Sequence, residues 1–548
     1  MCEVTSSNFS ELLPSILKQI DESCFVSLDT EFSAIDNHST WKRKNLKEFY
    51  KQRSDFIKEI TIFQFGLAIF SKTSNQHRYH VDVYNFYLHP TSIHSIDVKY
   101  IIQSSSIKFL SEYKFDFNKC FYSGIPFLNQ TQEQILFNEN QQTTELSLNE
   151  RQFLNLLFEQ INQWLITAQF GDQMKYDLTK NSKDILNDYL IHKEIRRCFK
   201  TIWTKIESHE KEKILIIEHI TKEVYEEKLQ DKNDDFQLFI QSSIGFTKLI
   251  QYIRQNYRKP IIGHNCFLDW LIIYDKFIDI LPSKFEDFQM GMNKNFVCPI
   301  FDTKYLASEM KEYLFTRQNR SNISNYVEKL TTSTSLSSLY DLLTSKYYEN
   351  LIFLKPIIEM NSTDRYQNEI CTHEAGYDAY MSGVVFLKLI YLYKQKKVVN
   401  KIDFHEHQSI FDICLNEINR YKNRFYSIFL PYISLNRYDT YQNFQKTLQQ
   451  CLVVVKHNHD QLDMSDIISH FDSYCPMEYE LSRNSKKIYL LFPFEHCQRR
   501  ILNDYLNHPI YKIEKFHWFK HSLFMQYSFS VSIVMTGICL FFLAKRRM

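Results

Sequence analysis

Asp29 and Glu31 stand one residue apart in FVSLDTEFSAID, residues 25–36, where an apolar run breaks into acids. In a strand, residues i and i+2 face the same way, so the two carboxylates would lie side by side at a strand end. Adjacent carboxylates repel unless a positive charge sits between them. Alone, the pair fits a solvated acidic rim as well as a reaction centre. Further along, Asp269 lies among Phe267, Leu268, Trp270 and Leu271, where an unpartnered charge is costly. Asp378 opens a long apolar stretch at HEAGYDAYMSG (373–383), and His373 precedes it by five residues. Four acids and one imidazole are the inventory of two-metal phosphodiester hydrolysis, in which hard oxygen ligands hold two Mg²⁺ ions. Divalent ions of this kind supply the positive charge that the paired acids lack. A nearby His orients or deprotonates the attacking water. Mn²⁺, with similar ligand preferences, is an acceptable substitute for Mg²⁺.

These acids are far apart in the chain, so particular elements must gather them. Residues 9–22 read as a helix with Ser10 as N-cap. CFVSLD (24–29), EITIFQFGLAIF (59–70) and HRYHVDVYNF (77–86) read as an antiparallel meander beginning at the acid pair. Between the first two, WKRKNLKEFYKQR (41–53) is a basic, aromatic loop or helix, either a solvated face or an RNA contact. KPIIGHNCFLDWLIIYDKF (259–277) reads as a buried strand, a turn and a helix. Gly263 allows a tight exit there, and Asn265 can cap the helix that carries Asp269. VCPIFDTKYLAS (297–308) is another strand entering a helix. Residues 373–395 form a long helix, with Asp378 on it and His373 at or before its start.

The chain has 548 residues and a formal net charge of +1, so no global basic field advertises nucleic acid. Its twelve cysteines form no CxxC pair and no zinc-spaced cluster, which fits a reducing, cytosol-facing compartment. MCEVTSSNFSELLP carries acids where a targeting leader would carry Lys and Arg. Residues 523–544 are 22 residues without a formal charge, followed by KRRM. That length spans a hydrocarbon core of about 30 Å as a helix, which predicts a transmembrane tail anchor rather than a buried C-terminal helix. Between them, CLVVVKHN (451–458), DMSDIISHF (463–471), MEYELSR (477–483), KKIYLLF (486–492), HCQRRILNDYLN (496–507) and YKIEKF (511–516) read as βαββαβ, the ferredoxin-like order of RRM domains.

The sequence resembles the DEDD exonucleases of RNase H-like fold, in the subclass with His five residues before the last Asp, and within them the poly(A)-specific ribonuclease (PARN) family. SSNFSELLPSILKQIDESCFVSLDTEFSAI (6–35), FIKEITIFQFGLAIF (56–70), SIKFLSEYKFDFNKCFYSGIPFLN (106–129), GFTKLIQYI (245–253), KPIIGHNCFLD (259–269), FDTKYLAS (301–308) and HEAGYDAYMSG (373–383) carry the resemblance. It implies that Asp29, Glu31, Asp269 and Asp378 are catalytic, metal-binding acids and His373 the general base. Phe32, Asn265 and Tyr377 flank the motifs and would line the 3′-nucleotide site. Asp302, outside the four-acid set, reads as structural.

The resemblance implies an α/β fold: an RNase H-like core of mixed sheet and flanking helices, with a helical insertion, an RRM-like α+β module and one transmembrane helix. The expected domains are nuclease core over 1–145 and 236–400, a charged helical insert over 146–235, the RRM-like module over 401–516 and the anchor over 523–544. The family's insert carries an Arg-x-x-x-His signature that this stretch lacks. In the module, KKIYLLF offers only Tyr489 and Phe492 for stacking bases, which also leaves it open to dimerisation or partner docking. The anchor points to the PARN-like, membrane-bound branch that includes the pre-piRNA trimmers. The expected activity is Mg²⁺-dependent 3′→5′ trimming of single-stranded RNA ends, piRNA precursors above all, releasing nucleoside 5′-monophosphates. The implied setting is a tail anchor in the mitochondrial outer membrane, with the endoplasmic reticulum as alternative, the catalytic bulk in the cytosol, a Piwi/Tudor-type adaptor and a homodimer. The rival readings are an anchored mRNA deadenylase, a DNA exonuclease and a membrane-tethered pseudo-nuclease serving as an RNA-binding scaffold.

Overall fold

The structure, a computed structural model, describes residues 2–35, 46–73, 77–90, 92–93, 96–140, 146–181, 188–209, 212–230, 239–316, 335–346, 348, 355–361, 366, 371–398, 410–427, 432–436, 451–456, 478–481, 487–491 and 495–515. Strand β1 (Cys2–Val4) leads into helix α1 (Phe9–Glu22), and β2 (Phe25–Phe32) follows. Helix α2 (Leu46–Glu59) then precedes the long pair β3 (Ile62–Lys72) and β4 (Arg78–Tyr87). After helix α3 (Ser104–Glu112) come the insert and the second half of the core. That half holds β8 (Ile261–Gly263), β9 (Ile300–Asp302), β10 (Ile357–Met360), β11 (Arg424–Phe425) and β12 (Ile433–Ser434).

One sheet runs β1-β4-β3-β2-β8-β9-β11-β12, with β10 also paired to β4. β3 runs antiparallel to both of its neighbours, β2 and β4, as the meander pattern predicts, while β8 and β9 continue from β2 in parallel. Three antiparallel strands extended by two parallel ones off the first make the mixed sheet of an RNase H-like core.

Alternation along β2 assigns its two faces. Val26 and Leu28 join the core that contains Ile16, Ile57, Phe267 and Trp270. Phe25 joins the opposite core, with Phe70, Val385 and Phe386. The first face is covered by α1, α2 and helix α6 (Phe267–Ile273). The second is covered by α8 (Ala375–Val398), the long helix that begins just after His373. Between them in sequence, α7 (Thr303–Thr316) leaves β9.

The insert departs from its helical expectation. Helices α4 (Leu148–Leu165) and α5 (Asp188–Cys198) pack with a three-stranded antiparallel sheet of β5 (Gln173–Asp177), β6 (Ile202–His209) and β7 (Glu212–His219), in the order β5-β7-β6. Charge density in HKEIRRCFKTIWTKIESHEKEK (192–213) reads as helix, whereas ILIIEHI (214–220) reads as the strand that β7 largely forms. The β-branched residues Ile202, Thr204 and Ile206 alternate with Trp203, Lys205 and Glu207, however, and that pattern suits a half-buried strand.

A separate four-stranded antiparallel sheet is formed by β13 (Cys451–Lys456), β14 (Glu478–Leu481), β15 (Ile488–Leu491) and β16 (Tyr511–Lys515), in the order β14-β15-β13-β16. Helix α9 (Glu495–Asp504) lies between its last two strands. The expected first helix, 463–471, and the expected anchor, 523–544, lie outside the described residues. Among the described residues no helix is long and apolar enough to cross a membrane. Ser10 does not cap α1: the helix starts at Phe9, and Asn8 before it accepts from the Thr5 amide instead (2.9 Å).

Candidate active site

Asp29 and Glu31 continue the row begun by Phe25 and Ser27, on the face of β2 that meets α8. Ser27 Oγ donates to the Ala379 carbonyl of that helix (2.7 Å). Asp378, in the helix's first turn, therefore comes down beside the pair. Carboxylate oxygens of Asp29, Glu31 and Asp378 lie within 4.8 Å of one another. The ladder bends here, with a register shift between Glu31 and Phe32, a device that re-aims side chains at sheet ends.

Asp269 reaches the same strand end from the other face. Thr30, which alternation turns toward α6, donates to it through both hydroxyl and amide. Asp269 lies outside the mutual 4.8 Å set, yet it is close enough for its charge to raise the pKa of both Asp29 and Glu31. The expected cap at Asn265 is not made. Cys266 precedes α6, and no side chain caps it. Asn265 has φ 56°, in the left-handed region, and its amide donates to Asp302 Oδ1 (2.8 Å). Asp302 also accepts from the amides of Lys304 (2.9 Å) and Tyr426 (2.9 Å), so it fastens the turn before α6 to the start of α7. That is a structural role, as the sequence suggested.

The first turn of α8 is held by two buried side chains that sequence reasoning passed over. Gln64 Oε1 accepts from the Ala375 amide (2.9 Å), and Asn85 Oδ1 accepts from the Gly376 amide (2.6 Å). Asn85 Nδ2 donates to Glu374 (2.7 Å) and to the Tyr366 hydroxyl (2.7 Å). The available signal was a lone Gln inside ITIFQFGLAIF, an otherwise apolar strand.

His373 lies just before α8 with φ 65°, again left-handed. Its amide donates to Asp378 Oδ1 (3.3 Å). Its imidazole stands against Phe109 and Tyr113, with ring centroids 4.7 and 4.2 Å away. Partial burial lowers its pKa, so the ring is neutral at physiological pH. Phe32 is half-buried beside the apolar core, and Asn265 is exposed. Tyr377 is buried against Tyr366 and Tyr380, with only 6% of its surface exposed.

All four acids titrate upward. For Asp29 and Glu31 the cause is burial first, then repulsion from Asp269 and Asp378. Burial raises Asp269 to about 6, against the opposing hydrogen bonds from Thr30. It raises Asp378 to about 7. Mutually repelling, partly desolvated carboxylates with no cation among them are the donor set that hard divalent ions neutralise. The residues fit the metal that the chemistry requires.

A sequence profile of CAF1 family ribonucleases matches residues 4–386. The Bombyx mori pre-piRNA 3′-exonuclease trimmer is 27% identical over 565 residues, covering 99% of both chains. Mouse poly(A)-specific ribonuclease PNLDC1 is 25% identical over 565 residues, covering both chains fully. Xenopus laevis poly(A)-specific ribonuclease PARN is 28% identical over 419 residues, covering 71% of this chain and 62% of its own. The profile spans both halves of the core and every acid of the cluster, and the PARN resemblance read from the motifs falls within the same group. The chain belongs to the CAF1 family of ribonucleases.

Proposed function

We propose that this chain is a divalent-metal-dependent 3′→5′ exoribonuclease that trims single-stranded RNA ends and releases nucleoside 5′-monophosphates. The observation that carries the reading is the convergence of Asp29, Glu31 and Asp378 within 4.8 Å from elements remote in sequence. With Asp269 they would hold two Mg²⁺ ions, or Mn²⁺ in their place. Such ions, when bound, activate water and stabilise the charge that develops on the phosphodiester. His373, neutral in its aromatic pocket, accepts the proton of the attacking water. As the water oxygen bonds to phosphorus the P–O3′ bond breaks, the departing O3′ takes a proton from solvent, and the shortened RNA leaves with a free 3′ hydroxyl.

Precursor piRNA is the favoured natural substrate. The trimmer of Bombyx mori aligns over 99% of both chains, whereas frog PARN aligns over only 62% of its own length. Deadenylation is the second reading, favoured by the poly(A)-specific names of the mouse and frog relatives. The strand order β14-β15-β13-β16 supports an RRM-like module over 451–516, narrower than the expected 401–516 because β11 and β12 belong to the nuclease sheet. The uncharged 523–544 segment supports a tail anchor, with the mitochondrial outer membrane preferred. A Piwi/Tudor-type adaptor and a homodimer complete the reading.

The test is trimming of 5′-labelled oligo(A) and mixed-sequence RNA by the full chain, in Mg²⁺ and in EDTA, beside Asp378→Asn. Mg²⁺-dependent shortening of both RNAs, lost in the variant, is expected. Shortening of oligo(A) alone would establish the deadenylase, and metal-independent turnover would overturn the mechanism.

A further inference from the structure

We propose that the buried amides of Gln64 and Asn85 are positioning residues, which set where the first turn of α8 docks on the sheet and thereby how close Asp378 comes to Asp29 and Glu31. The inference rests on the exonuclease reading above.

Asp29 and Glu31 belong to a strand, and Asp378 to a helix laid across it. Their separation is therefore fixed by docking rather than by local geometry. The register places the two amides in line with the acids. Glu31 pairs with Gln64 across β2 and β3, Asp29 pairs with Gly66, and Gly66 pairs with Asn85 across β3 and β4. Residues paired in this way share one face of the sheet, so acids and amides occupy two neighbouring cross-strand rows on one face, beneath the start of α8.

A helix leaves its first amides without internal partners. The usual remedy is a Ser, Thr, Asp or Asn at the cap, which travels with the helix. Here the acceptors for Ala375 and Gly376 are side chains of the sheet, so their bonds register one body against another. Asn85 extends the hold backward by donating to Glu374, next to His373. Both side chains are fully buried (0% exposed).

Stability alone does not account for Gln64. Its buried Nε2 has no hydrogen-bond partner among the described residues, and an unpaired buried donor opposes folding. A methionine of similar length would remove that donor and leave the buried Ala375 amide unpaired instead, so the two costs offset. What it would lose is the bond to Ala375, and with it one point of registration.

The experiment compares the full chain with Gln64→Met and Asn85→Leu. It measures kcat and KM on mixed-sequence RNA, the Mg²⁺ concentration giving half-maximal turnover, and Mn²⁺ binding by calorimetry without RNA. Loss of groups that orient metal ligands typically costs about 10–100-fold in metal affinity or activity. A fall of that size in kcat and Mn²⁺ affinity, with KM for RNA held within about twofold, is the expected result, because the amides act on ligand geometry rather than on RNA. Gln64→Met exchanges one unpaired buried donor for another and should melt close to the wild type, so it carries the test even if Asn85→Leu fails to fold. Wild-type metal affinity and kcat in a folded Gln64→Met would overturn the positioning role. An inactive wild type that binds no Mn²⁺ would instead overturn the exonuclease reading on which it rests.

Discussion

Gly66 lies directly opposite Asp29 on the neighbouring strand, and a Cβ there would overlap the carbonyl of Ala375 at the start of α8. Glycine in the middle of a strand weakens it and often marks a close backbone approach. The approach here brings the helix bearing Asp378 down onto the acid pair. Gly66→Ala should therefore push α8 outward. Overpacking of this kind costs about 1–3 kcal/mol, and a displacement near 1 Å at a reacting centre costs on the order of 100-fold in rate. Thermal melting and single-turnover trimming would show both. Turnover within a factor of two of wild type would mean that the helix position does not matter.

Neutralising one acid should separate stability from activity. In the metal-free protein the cluster is held together against mutual repulsion and desolvation. Asp29→Asn or Glu31→Gln should then raise the melting temperature in EDTA, because each relieves both the repulsion and the cost of burying a charge. The same variants should lose trimming and most of the stabilisation that Mg²⁺ gives the wild type. An EDTA melting temperature well below wild type would show that the carboxylates stabilise the fold rather than burden it.

Much of this was legible in the sequence, for reasons of different kinds. Alternation placed Asp29 and Glu31 on one face because a strand's period is independent of its neighbours. The long apolar stretch after Asp378 could only be a buried helix. The sheet residues that hold that helix were not legible, because Gln64 and Asn85 act across strands and a single sequence does not reveal strand register. The left-handed backbone at Asn265 and His373 escaped notice since neither is a glycine. At Asn265 this replaced the expected side-chain cap with a main-chain bond to Asp302. In the insert, charge density outweighed β-branching in the reading, and tertiary burial reversed the outcome.

The pH response follows from the raised acids. Asp269 and Asp378 ionise at about 6 and about 7 in the fold, against 3.8 ordinarily. Between 3.8 and about 7 the folded chain thus holds protons that the unfolded chain has lost. Metal-free stability should decline as pH rises through that window, and the raised Asp29 and Glu31 act in the same direction. Mg²⁺ selects the ionised forms, so its stabilising effect should grow over the same interval. The acid limb of the trimming rate should accordingly move to lower pH as Mg²⁺ is raised. A limb set by His373, whose pKa burial lowers, would stay in place. His373→Ala should reduce the rate by about 10²–10⁴-fold, the usual share of a general base, without moving the limb. A limb that ignores Mg²⁺ concentration would assign it to the imidazole.

Asp302 provides the contrast that tests how the acids are sorted. It is more deeply buried than Asp29 or Glu31, at 1% exposed, but it accepts from the amides of Asn265, Lys304, Tyr305 and Tyr426, even though its charge reaches Asp269. Its negative charge is already answered by the backbone, so it has little left to offer a metal. Asp302→Asn replaces one acceptor oxygen with an NH₂ group, and in either orientation that group confronts an N–H. The expected penalty is about 1–3 kcal/mol for donors left unsatisfied, read in urea unfolding. Turnover per folded molecule and the Mg²⁺ requirement should stay within about threefold of wild type, as for a residue remote from the reacting atoms. Asp269→Asn should behave in the opposite way, folding well and trimming nothing, because the Thr30 hydroxyl still has an oxygen to meet while a metal ligand is lost. If Asp302→Asn proved stable but inactive, the four-acid set would have to be redrawn with Asp302 inside it.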